Sequence, residues 1–238
     1  MEIEFAYAAE LKKRFFCYGH FYELELVSGS RLPCRSVLEI VDVSVPREDP
    51  SAIWGMEPDA VAVMMNPGSS HPKDSGYRPA SLTYPRPAGR AGEKELVLTQ
   101  PDNTQYQIMR VAVSKGWRHV RVLNLSDLRD PKSAGFLRRA GELARLPDGR
   151  FHSVFCRERE PELRHALRRR RSTPILLGWG RDAGLLPLAE RCLKTLAAEP
   201  TVCVPAVEHP SLNAHPSPML QRKKLEWLER ISEALEDA

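Results

Sequence analysis

The chain reads as an α/β protein built on a mainly parallel sheet, and three observations predict that class. Strand-like and helix-like segments alternate from about residue 59 onward. The candidate strands at 59–65 and 120–125 are continuous apolar runs, which suits strands covered on both faces. Each of four such strands stops abruptly at Asn, Gly, Pro or His residues. Strands alternating with helices imply right-handed crossovers and parallel neighbours. The chain has 238 residues, 42% hydrophobic and 28% charged, enough for one well-buried core and unlike a disordered composition.

Taken in order, residues 1–50 predict a β-rich extension on a single α/β domain spanning 1–238. Segments 21–27 (F-Y-E-L-E-L-V) and 37–45 (V-L-E-I-V-D-V-S-V) alternate apolar and polar positions, the period of half-buried strands. Gly29 and Pro33 punctuate the link, so the pair is expected as an antiparallel hairpin on the edge of the main sheet. The strand at 59–65 ends at Asn66-Pro67-Gly68-Ser69-Ser70. Residues 71–101 carry Pro72, Pro79, Pro85, Pro87 and Pro101 with no apolar period, the composition of a long lid or binding loop. Residues 104–115 place Tyr106, Met109 and Val113 at helical spacing, with Gly116 as the stop. The second strand, 120–125, closes on Asn124, and helices are expected over 133–145 and 159–171. The third strand, 174–177, runs into Gly178-Trp179-Gly180. A helix over 183–198 separates it from the fourth, 201–207. The last helix, about 219–236, buries Leu225, Leu228, Ile231 and Leu235.

Several function classes are disfavoured. No stretch approaches the roughly 20 apolar residues needed to span a bilayer. The start carries Glu2, Glu4 and Glu10 and lacks a basic segment followed by an apolar core, so a cytoplasmic protein is the expectation. Cys17, Cys34, Cys156, Cys192 and Cys203 form no C-x-x-C pair and read as free thiols. There is no P-loop, no H-E-x-x-H and no G-x-S-x-G, and neither cofactor nor metal is expected. Asp127 and Asp130 are the one acid pair that suggests a hydrolase or transferase of another α/β type, and they lack ordered His partners. The net charge of +4 mildly favours an anionic partner. The run H-A-L-R-R-R-R at 165–171 contains Arg168, Arg169 and Arg170. It is either a solvated helix face or a phosphate-facing patch.

Ligands of parallel sheets bind beyond the carboxyl ends of the strands. Read in order, those ends are M-N-P-G-S-S-H-P, V-L-N-L-S-D-L, L-L-G-W-G-R-D-A and E-H-P-S-L-N-A-H-P-S-P-M. Over roughly 59–220 this set resembles the uracil-DNA glycosylase superfamily. It also resembles a bacterial family of unknown function with Asn-Pro-Ser, Val-Asn-Leu, Trp-Gly and His-Pro motifs. The glycosylase resemblance implies a three-layer α/β/α fold with a four-stranded, mainly parallel sheet, here carrying the N-terminal hairpin. It implies an N-glycosidic-bond hydrolase acting on a pyrimidine or modified base in DNA or a nucleotide, or else a non-catalytic binding module of the same fold.

Within that resemblance Asn66 takes the water-positioning place that a carboxylate holds elsewhere. An amide can orient a water but cannot accept its proton at neutral pH, so the missing carboxylate bears directly on catalysis. Pro67 and Gly68 flank the base, and Gly68 lets backbone approach a ligand; a simple strand-ending turn is the plain alternative. The Asn124 carboxamide offers donor and acceptor to a pyrimidine edge, or caps the following turn. His209 and His215 compete for the His that stabilises the departing base, with His215 in the better Pro-Ser-Pro context beside Ser217. Met219 or Leu220 is the candidate wedge into the duplex. Ser211 and Arg181 are candidate DNA contacts, and Tyr77 and Tyr84 candidate stacking partners. Trp179 reads more readily as core.

Overall fold

A computed structural model of the chain describes residues 5–85, 94–170 and 173–237. It shows an α/β fold on a mixed, nine-stranded sheet. The strands are β1 (Phe15–Glu25), β2 (Arg31–Asp42), β3 (Ala60–Met64), β4 (His71–Pro72), β5 (Ala80–Leu82), β6 (Val97–Gln100), β7 (His119–Asn124), β8 (Ile175–Gly178) and β9 (Thr201–Cys203). Their order is β4-β6-β1-β2-β7-β3-β8-β9, with β5 alongside β1. The helices are α1 (Ala8–Arg14), α2 (Pro50–Ile53), α3 (Asn103–Lys115), α4 (Ser133–Leu143), α5 (Glu160–Ala166), α6 (Leu186–Thr195) and α7 (Gln221–Ala234). None is long and apolar enough to cross a membrane among the described residues.

Two expectations need correcting. A four-stranded sheet is too small: β7, β3, β8 and β9 do run parallel to one another, but they are one half of the nine-stranded sheet. Nor is the N-terminal hairpin an edge. β2 pairs antiparallel with β7, and β1 pairs with β6 and β5 on its other side. The reason lies in the polar positions of β2. The alternation at 37–45 suggests one wet face, yet Glu39 is fully buried, bonded to Arg121 Nε at 2.6 Å and His119 Nε2 at 2.8 Å across β7. Buried charges are tolerated only when paired and hydrogen-bonded, which these are. The long 71–101 segment also contributes three short strands, β4, β5 and β6, so it is partly sheet.

Alternate residues of β3 fill two cores. Val61 and Val63 join Trp54, Phe136, Leu163, Trp179 and Ala189. Ala60, Ala62 and Met64 join Tyr106, Met109, Ala112, Trp227, Leu228 and Ile231. The connection after β3 therefore leads to α3 on one face, and that after β7 to α4 on the other. Adjacent parallel strands whose connections leave on opposite faces open a crevice at their carboxyl ends. Here the crevice lies between β3 and β7, where Met64 pairs with Asn124.

Candidate functional site

A cleft of about 390 Å³ occupies that crevice, lined among others by Asn66, Gly68, Asp102, Asn124, His215 and Ser217. Asn66 after β3, Asn124 at the end of β7 and His215 in the loop after β9 thus converge on one hollow large enough for a small ligand.

Asn66 follows β3 and is tied to the loop after β7. Its Nδ2 donates to the carbonyls of Asp130 at 2.8 Å and Leu128 at 3.3 Å. Both amide hydrogens are engaged, so what Asn66 can still offer is the acceptor Oδ1. Gly68 has φ +64, and a Cβ there would stand 2.9 Å from Asp102 Oδ2. Only glycine suits both the dihedral and the close approach.

Asn124 ends β7 with no exposed surface, and neither its Nδ2 nor its Oδ1 has a hydrogen-bond partner. A buried amide left unpaired costs on the order of 1–3 kcal/mol, more when both ends are bare. Cap duty, the plain alternative for Asn124, is absent.

His215 sits on a turn held from four sides. Pro216 packs so closely on Gly178 that a Cβ at 178 would lie 2.8 Å from its Cγ. Gln107 on α3, fully buried, donates to the carbonyls of Pro216 and Lys224, both at 3.0 Å. Trp227 Nε1 donates to Ala214 O, and the Ala214 N–H to Val204 O. The Ser217 N–H donates to His215 Nδ1 at 3.1 Å, so in the neutral ring the proton sits on Nε2. Burial lowers the His215 pKa, Asp102 opposing in part, which favours that neutral donor near pH 7.

Asp102 precedes α3, and its Oδ1 accepts from the N–H groups of Thr104 and Gln105. Arg35 on β2 is fully buried, with Nη1 3.5 Å from Pro67 O and with Nε and Nη2 unpartnered. Burial pushes its pKa down to about 10, against the attraction of Asp102.

Other candidates lie elsewhere. His209 repeats the turn, its Nδ1 accepting from Ser211 N–H at 3.1 Å, but it is outside the cleft lining. The His-Pro-Ser repetition is therefore local turn chemistry, and only one copy meets the cleft. Ser211 O accepts from the indole of Trp179, which is core. Tyr77 lines a separate cavity with Trp54 and Lys94, and Tyr84 packs near Tyr22 and Phe151. Met219 lines the cleft with its side chain almost fully exposed, with Leu220 beyond it. Arg181 lines an adjoining cavity shared with His215 and is 3.7 Å from Glu208.

The arginine run does not serve the cleft. Arg168 faces Glu57 and Arg170 faces Asp59, each at 3.8 Å, while Arg169 bonds Glu199 at 2.9 Å. Asp59 precedes β3, so these side chains stand at the amino ends of the parallel strands, roughly 17 Å of strand from the site. Arg171 lies outside the described residues. Asp127 is likewise engaged in the interior, bonded to Arg159 and Tyr22 at 2.7 Å each, and does not form a site with Asp130. Among the described residues no cluster of His, Cys, Asp and Glu is arranged to hold a metal ion. Asp102, Gln107, Arg35 and Asn213 were not singled out by sequence reasoning. Asn213 Oδ1 accepts from Trp179 N–H at 2.7 Å and locks the loop after β9 to the end of β8. The D-N-T-Q start of α3, an N-cap followed three residues later by Gln, was the one local signal pointing to Asp102.

Comparison of the chain with family models, with curated proteins and with solved structures returns no match.

Proposed function

We propose that the chain is an N-glycosidic-bond hydrolase of the uracil-DNA glycosylase type, acting on a pyrimidine or modified base in DNA or a nucleotide. The observation that carries this reading is Asn124, a buried carboxamide with bare donor and acceptor, on the wall of a cleft that also holds Asn66 and a neutral imidazole donor. A pyrimidine imide edge presents the complementary acceptor and donor. His215 Nε2–H would donate to a base carbonyl as negative charge develops on the leaving base, a contribution that preorganised donors supply well in a water-poor site. Asn66 Oδ1 would accept from the attacking water. Helices on both faces of the sheet and the order β7-β3-β8-β9 are consistent with a three-layer α/β/α core of that type. Met219 and Leu220, exposed at the rim, would fill the space left by a flipped base. Lys224 in the cleft lining would meet phosphate, with Lys223 on the adjoining cavity, where it is bonded to Glu226 at 2.6 Å.

The test is base release from uracil-, mismatch- and deaminated-base oligonucleotides and from the matching nucleotides. Release that is lost on Asn124→Ala supports the reading; no release from any of them by folded protein removes it. A second reading, nucleotide binding without chemistry, draws on Asn66, whose amide stands where a proton acceptor is wanted. Tight binding of the same oligonucleotides with no base release would select it.

A further inference from the structure

We propose that Asp102 is the general base of the cleft, accepting the proton of a water oriented by Asn66. The assignment rests on the base-release reading and extends it, because the strand-end motif supplies an amide in place of an acid.

The two oxygens of Asp102 have separate surroundings. Oδ1 is committed to the N–H groups of Thr104 and Gln105, which fixes the carboxylate's rotation. No hydrogen bond among the described residues reaches Oδ2, and this oxygen faces Gly68. Gly68 is two residues from Asn66 on the turn that closes β3. Asp102 and Asn66 line the same cleft, the missing Cβ of Gly68 leaves room for Oδ2, and a water held by Asn66 Oδ1 would be shared with that oxygen. A cap alone does not need the second oxygen in a cleft. An independent sign that the cleft takes a ligand is Asn124, fully buried with both amide atoms bare.

The charged and titratable groups around Asp102 come from several elements. Arg35 on β2 and Cys17 on β1 feel its charge from beneath. His215 feels it from the loop after β9. Asp130 and Lys224 line the same cleft from the loop after β7 and from α7. Arg35, with two nitrogens unpartnered, is a fixed positive charge behind the site.

The step balances without any further reagent. The water oxygen forms a bond to the sugar anomeric carbon, and its proton passes to Asp102 Oδ2. The bond from that carbon to the base nitrogen breaks, and its electron pair leaves with the base, whose carbonyl takes the His215 hydrogen bond. Solvent then protonates the released base and takes the proton from Asp102.

Asp102→Asn and Asp102→Ser separate base from cap, since Asn and Ser cap helices about as well as Asp. Both variants are expected to lose kcat by about 100-fold to 10,000-fold, the span usual for a general base. KM should stay within about threefold and melting temperature within about 2 °C, as expected for surviving cap and cleft. If either variant keeps kcat within about threefold of wild type, or if kcat and melting temperature fall while KM rises beyond these bounds, Asp102 is structural and the proposal fails while base release stands. If wild type releases no base from any substrate, both readings go.

Discussion

Asn124 holds the clearest tension between stability and use. An apolar side chain of similar size in its place removes two bare polar atoms from the interior, and such exchanges are neutral or stabilising where the polar group has no partner. Asn124→Leu is therefore expected to raise stability by about 1–3 kcal/mol while abolishing ligand binding, measured by denaturant unfolding alongside titration with a pyrimidine. A loss of stability would mean that the amide has a structural partner. Asn66 behaves differently. Its Nδ2 is used by two carbonyls, so Asn66→Asp would set a carboxylate against Leu128 O and Asp130 O and destabilise the turn. That is a physical reason for an amide to stand at 66, and under the proposed base release the acid would come from Asp102. The two amides were legible because each closes an apolar run, and the histidine because of its Pro-Ser-Pro context. Asp102 was not, because its place opposite Gly68 depends on how far the 71–101 segment carries the chain before α3 begins.

At the scale of elements, the site is held by contacts between segments remote in sequence. Gly178 at the end of β8 admits Pro216, and a methyl group there would press on Pro216 Cγ and Cδ and on Met64 Cε. Overpacking of this kind costs typically 1–3 kcal/mol. Gly178→Ala is expected to lose about that much and to lower kcat through a displaced His215 turn; activity at wild-type level would show that the turn has slack. Gln107 joins α3, the His215 turn and α7 through two carbonyls. No sequence pattern marks it, since a Gln on a helix reads as surface. The same limit explains the hairpin. Apolar-polar alternation over 37–45 is real, but period alone cannot tell a polar residue facing water from Glu39 facing Arg121. Helix α3 was easier: Tyr106, Met109 and Val113 at helical spacing and the Gly116 stop mark it in the sequence, and the capping box at Asp102 closes its other end in the structure.

For the molecule as a whole, charge placement and pH give two checks. Arg168 and Arg170 stand at the amino ends of the parallel strands, whereas Lys224 lines the cleft and Lys223, bonded to Glu226 at 2.6 Å, lines the adjoining cavity. Replacing both lysines by Ala should weaken oligonucleotide binding and reduce its salt dependence by a slope of about 2, while replacing Arg168 and Arg170 leaves binding unchanged. Acid sensitivity should come from buried histidine. Burial, with Arg191 and Arg159, lowers His152 from 6.5 to about 4. The unfolded chain binds this proton first, so stability falls as pH drops from 6.5 to about 4, by roughly 3 kcal/mol at most. Burial alone would raise the Glu162 carboxyl, but Arg159 and Lys94 hold it below the usual range, so stability is lost further as pH falls below 4.5. Unfolding midpoints that stay flat between about pH 7 and about pH 4.5 would contradict the His152 assignment. The central claim, that Asn124 reads a nucleobase in the β3–β7 crevice, is tested most directly by titrating isotopically labelled protein with free uracil and following side-chain amide signals. The account predicts saturating shifts of the Asn124 carboxamide that vanish in Asn124→Leu; shifts confined to residues outside the cleft, or none at saturating base, would contradict it.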